Sequence, residues 1–249
     1  MAAARAVEAR QIRHILVAAQ HVEGVGEPLP RDPALAACWS FCRAAAAEMS
    51  ATWRLVELCH RATAQQAAEA LVNDALGEAE EVAWAQGRRY VPRLRRIEVE
   101  MAEPEPASEK SSCIVVGGNG SLGRLLVARL LRAEQFSDII VVSRRPGQVQ
   151  PSSKLHMLMG DAADMDSCLA LMRRVQAEAA PCSRILNLAG FLPESGMVPA
   201  AKDLRWADCA PVLRPKVDGS LCLASCSDQA PVCKTSRLLF ARSSRTVSW

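Results

Sequence analysis

Residues 113–123 read CIVVGGNGSLG, an apolar run that breaks into Gly117, Gly118, Gly120 and Gly123 and leads on into LLVARLLRA. Glycines between a strand and an amphipathic helix suit a pyrophosphate. One permits a sharp turn, a second lets backbone N–H groups approach with no Cβ in the way, and a third lets the helix pack closely on the sheet. The helix N-terminus adds the positive end of its dipole. The candidate anion site is therefore Gly117, Gly118, Asn119, Gly120, Ser121, Leu122 and Gly123. A plain tight turn is the simpler alternative, and the strand before and helix after argue against it.

A second group of residues bears on which dinucleotide would fit. A ribose with a free 2′-hydroxyl normally meets Asp or Glu after the second strand, whereas VVSRRPG places Ser143, Arg144 and Arg145 there. Guanidinium groups suit a 2′-phosphate through paired charge-assisted hydrogen bonds. The expected cofactor is NADP(H), with Arg144 as the main discriminator and a solvated basic corner as the alternative. Asp161 and Ala162 follow the third strand, where an acidic side chain can meet an adenine. Asn187, Ala189 and Gly190 close the fourth, where small residues let a nicotinamide ribose lie near the backbone; Asn187 reads equally as a strand-end polar residue.

These residues need a parallel sheet to converge. Strand signals at 113–117, 138–143, 155–159, 184–188 and 237–242 alternate with helical ones at 121–134, 164–178 and around 202–228, which argues for an α/β, Rossmann-like doubly wound sheet. The stretch 98–112 is acidic and proline-bearing and reads as a linker. The first half carries a strand at 12–19, a helix at 34–49, a strand at 52–58 and a helix at 63–76, with Thr63 as N-cap and Ala67, Leu71 and Leu76 on an apolar face. Two short strands follow within 80–94, around Gln86-Gly87. The expected organisation is a smaller Rossmann-like unit over 1–100, a linker over 101–112 and a nucleotide-binding unit over 113–249.

Composition narrows the class. Half of the 249 residues are hydrophobic and the formal net charge is only +3, which gives no general attraction to nucleic acid or anionic membrane. No apolar stretch approaches the roughly 18 residues of a spanning helix. The ten cysteines include no CxxC pair; Cys222, Cys226 and Cys233 lack a nearby His, so no metal site is expected, and Cys38 and Cys113 read as small core residues. A reducing compartment fits, the cytoplasm or a plastid.

The order of motifs resembles the ketoreductase domain of type I polyketide synthases and animal-type fatty acid synthases, within the short-chain dehydrogenase/reductase superfamily. The matching stretches are VVGGNGSLG, VVSRRPG, GDAAD, ILNLAGFLPESG, VLRPKVDGSLCL and RLLFARSS; EEVAWAQGRRYVPRL is similar to the end of the family's structural subdomain. The resemblance implies hydride transfer from NADPH to the β-keto group of an acyl chain on the phosphopantetheine arm of an acyl carrier protein, alongside other synthase domains. It also implies that Lys216 is the family's lysine, which holds the ribose and lowers a tyrosine's pKa, and that Ser244 is the serine that hydrogen-bonds the carbonyl. The family's tyrosine has no counterpart in this sequence, whose one tyrosine is Tyr90, in the first half. The alternative is therefore a catalytically silent nucleotide-binding or structural module of such a synthase. A sugar-nucleotide epimerase of the extended type is a third reading, against which PKVDG argues.

Overall fold

The structure, a computed structural model, describes residues 12–20, 22, 24–25, 32–96, 111–147, 152–191, 199–229 and 237–240. The chain divides into two compact units.

The first unit holds β1 (His14–Ala19), α1 (Pro33–Glu48), β2 (Thr52–Glu57), α2 (Ala64–Ala75), β3 (Glu81–Ala85) and β4 (Arg88–Tyr90). Its sheet runs β1-β2-β3-β4, parallel except for the final hairpin. Gln86 (φ +50°) and Gly87 (φ +72°) form that hairpin's turn, as the sequence predicts. Thr63 caps α2 in a capping box with Gln66.

Three sequence expectations change here. Leu76 is 91% exposed, because α2 stops at Ala75 and Leu76 already has left the helical stripe as the C-cap; the buried positions are Ala70 and Asp74. Cys38 is exposed, because the inner face of α1 is set by Trp39 and Ala45, and a residue one step from Trp39 points away from it. Residues 199–205 belong to this unit rather than to the second. Ala201 is buried with Ala45, Ala51 and Trp53, and its N–H donates to Glu48 Oε2 at 2.8 Å.

Asp74 is the polar centre of this unit. It accepts from Trp84 Nε1 (2.5 Å) and Arg89 Nε (2.8 Å), and its side chain is 3% exposed. Asp74→Ala strands both donors, and the expected cost is about 3 kcal/mol. Urea unfolding followed by tryptophan fluorescence checks it.

The second unit carries β5 (Ser112–Val116), α3 (Ser121–Ala133), β6 (Asp138–Ser143), β7 (Leu155–Met159), α4 (Met165–Glu178), β8 (Cys182–Asn187), α5 (Trp206–Leu213), α6 (Asp218–Gln229) and β9 (Arg237–Phe240). Every pairing in the order β7-β6-β5-β8-β9 is parallel. Alternation along the strands serves both faces. Ile114, Val116, Ile140 and Val142 pack with Leu171, Val175 and Leu223 of α4 and α6, while Cys113, Val115, Ile139 and Val141 pack with Val127 of α3. The predicted helical stretch at 202–228 is two helices, joined by a turn at 214–217. Strand order reverses between β5 and β8, and in such sheets the crevice beyond the carboxyl ends of those strands is where ligands bind.

Candidate functional site

The site is built at the carboxyl ends of β5, β6, β7 and β8. Gly117 makes the sharp turn out of β5, at φ +78°. A Cβ there would come within 2.8 Å of the Ala189 backbone nitrogen, so the turn and the end of β8 lie against one another. A Cβ on Gly118 would meet Val141 at 2.7 Å, and one on Gly123 would meet the Gly117 carbonyl at 2.4 Å. Asp32, Thr63 and Asp164 cap α1, α2 and α4 with side-chain acceptors, whereas α3 begins at Gly120 with none. The first-turn N–H groups of α3 are thus left to an external acceptor. Ser121 and Leu122 open that turn and are exposed.

Asn119 ties this turn to the end of β6. Its Nδ2 donates to Ser143 Oγ (2.7 Å), and Ser143 Oγ donates to the Arg145 carbonyl (2.6 Å). Asn119 Oδ1 is buried and has no hydrogen-bond donor. The side chains of Arg144 and Arg145 are exposed, and neither forms an ion pair among the described residues. The basic corner is therefore held through its backbone, with both side chains exposed.

At the end of β7, Ala162 is buried in the core. The Asp161 carboxylate is engaged within the protein: Oδ1 accepts from the Ala163 N–H (3.0 Å) and Oδ2 from Arg214 Nη1 (2.8 Å). Burial pushes its pKa up, but the Ala163 hydrogen bond, the Arg214 hydrogen bond and the charges of Arg214 and Arg144 outweigh that and hold it below the usual carboxylate value. A depressed folded-state pKa means stabilisation that is full above the unfolded value and lost as pH falls through the folded one. Thermal midpoints are therefore expected to fall slightly as pH drops below the ordinary carboxylate value, and less steeply in Arg214→Ala.

Asn187 is buried at 1% exposure and acts as a clamp. Its Oδ1 accepts from the Ala189 N–H (3.1 Å), while Nδ2 donates to the Pro215 carbonyl (3.1 Å) and Ser220 Oγ (3.3 Å). It thereby joins the end of β8 to the turn that carries Lys216. That turn is closed by Lys216 N–H to the Leu213 carbonyl (2.9 Å) and by Ser220 Oγ to the Lys216 carbonyl. Lys216 is exposed, as is Gly190. Ser244 lies outside the described residues. The sequence reading included Gly117 in the anion site, and the structure makes it the residue that turns. It missed Arg214 as the partner of Asp161, which nothing in residue spacing signalled.

Among the described residues, no His, Cys, Asp and Glu side chains group as a metal site would require, and no helix is long and apolar enough to cross a membrane.

Comparison with known proteins agrees with this architecture. The KR domain family model matches residues 111–246. The spectinabilin polyketide synthase system protein NorA′ of Streptomyces orinoci is 30% identical over 198 residues, 75% of this chain and 5% of the relative. Polyketide synthase GfsA of Streptomyces halstedii is 32% identical over 205 residues, 77% of this chain and 3% of that protein. The first ketoreductase of the tylosin polyketide synthase superposes with a TM-score of 0.71 at 25% identity, over 93% of this chain and 51% of that one. An A1-type ketoreductase shares the fold, with a TM-score of 0.75 at 20% identity, over 95% and 52%. The chain thus spans about half the length of these solved ketoreductases and a small part of the curated synthases. It belongs to the ketoreductase domain family of polyketide synthases, in the short-chain dehydrogenase/reductase superfamily.

Proposed function

We propose that this chain provides the NADPH-binding part of a β-ketoacyl reductase within a modular synthase. The observation that carries the reading is the glycine cradle at the head of α3 beside two exposed arginines with no ion-pair partner among the described residues. The cradle fits a pyrophosphate, since a Cβ at Gly118 or Gly123 would clash with its own surroundings and α3 brings no side-chain cap of its own. Arg144 and Arg145 hold the 2′-phosphate, the backbone around Asp161 and Ala162 borders the adenine, and Asn187, Ala189 and Gly190 border the nicotinamide ribose. NADPH held there would supply the hydride for the keto carbon of a carrier-linked acyl thioester, becoming NADP+, while the alkoxide oxygen takes its proton from solvent water. Lys216, on the turn that Asn187 clamps, holds the ribose hydroxyls and favours negative charge near the reacting oxygen. Ser244, in its sequence position, is proposed to hydrogen-bond that oxygen. The acyl carrier protein and neighbouring synthase domains are the proposed partners.

A second reading is favoured by one observation: the single tyrosine, Tyr90, lies on β4 of the other unit. The chain then binds cofactor without turnover. Incubation with NADPH and an N-acetylcysteamine β-ketoacyl thioester separates the two. Lys216-dependent loss of NADPH absorbance, with hydroxyacyl product, supports the reductase; cofactor binding with no product supports the silent module.

A further inference from the structure

The end of β7 lies directly beside the basic corner. The Gly160 N–H donates to the Ser143 carbonyl at 3.0 Å, so Asp161 follows one partner of that bond and Arg144 follows the other. An ionised carboxylate is thereby placed one strand over from the two arginines, a spacing of about 5 Å between neighbouring strands. Left uncompensated, it would cancel part of their field and oppose any dianionic group brought to them. It is not left so. Arg214 reaches across from the turn after α5, with Nη1 on Asp161 Oδ2 at 2.8 Å and Nη2 near the Ala163 carbonyl at 3.5 Å.

We propose that Arg214 is a specificity-determining residue for the cofactor's 2′-phosphate, acting by neutralising Asp161 so that Arg144 and Arg145 present an unopposed positive corner. The inference rests on the reading that those two arginines receive a 2′-phosphate. Arg214 itself is a positioning residue: it acts through Asp161 and contacts no ligand.

The chemistry has three parts. Asp161 is kept ionised at neutral pH by the Ala163 N–H as well as by Arg214, so losing Arg214 leaves a charged carboxylate behind. The pair is partly exposed, with side chains 44% and 29% accessible, and such pairs contribute little to stability. Its field, by contrast, acts wherever a charged ligand approaches. Finally, a guanidinium holds the carboxylate through one oxygen while the other stays on the backbone, so both oxygens of Asp161 are already engaged within the protein.

The test uses the whole chain and two probes, adenosine 2′,5′-bisphosphate and AMP, titrated by calorimetry at fixed ionic strength. The ratio of their affinities reports 2′-phosphate recognition without any turnover. Arg214→Ala is expected to lower that ratio about tenfold with AMP affinity nearly unchanged. Asp161→Asn, which keeps Arg214, is expected to raise the ratio. The double variant Arg214→Ala, Asp161→Asn is expected to restore it, because both charges are then gone. Arg214→Gln serves where the alanine variant melts early, with the same expected loss. Equal weakening of both probes in Arg214→Ala, with no rescue in the double variant, would overturn the proposal and make Arg214 a plain structural anchor. A wild-type ratio of one would instead show that the 2′-phosphate reading itself has failed, before any Arg214 variant is weighed.

Discussion

Gly123→Ala is expected to bind neither NADPH nor NADH and to lose about 3 kcal/mol of stability. The new methyl would sit 2.4 Å from the Gly117 carbonyl and 2.6 Å from the Gly118 Cα, both backbone atoms that have nowhere to go. Gly117 is already committed to φ +78° and lies against Ala189, so the clash is relieved only by moving α3 off the sheet. That movement opens the cradle at the point where phosphate oxygens would meet the first-turn N–H groups. Gly190→Ala is the control for stability, since a Cβ there meets nothing within 4 Å. Chemical denaturation of the two variants, beside cofactor titration of Gly123→Ala, checks the pair of outcomes.

Removing both guanidinium groups carries the second large effect. The double variant Arg144→Ala, Arg145→Ala is expected to bind NADPH about 100-fold more weakly, at roughly 1.5 kcal/mol for each charge-assisted contact. NADH affinity should change by less than about twofold. The asymmetry follows from how the corner is held. Ser143 and Asn119 bind the Arg145 carbonyl, not its side chain, so the loop keeps its shape when the side chains are cut back. Equal loss of both cofactors would mean instead that the arginines support the loop. Parallel titrations of the two cofactors distinguish these results.

The elements that position the site were legible because each carries its own local signal. The β5 strand is apolar from Cys113 to Val116, being buried on both faces, and the glycines after it mark the turn. Gln86-Gly87 announced its hairpin through residues that tolerate positive φ. What was not legible depends on contacts between distant residues. Asp74 reads as an ordinary polar helix position until Trp84 and Arg89 are brought to it. Cys38 and Leu76 sit in apolar runs, yet helical phase and the end of a helix turn them outward. Arg214 lies 53 residues from Asp161, and nothing in the spacing of either announces the pair. Asn187 was ambiguous as a lone strand-end amide; three hydrogen bonds and near-complete burial make it the clamp between β8 and the Lys216 turn.

The central claim is that the cradle and the arginine corner together hold NADPH. Titration of the purified chain with NADPH and then with NADH, followed by nicotinamide fluorescence, tests it most directly. Saturable binding of both with NADPH clearly tighter is the predicted result. Equal affinity for the two cofactors, or binding of neither, would contradict it.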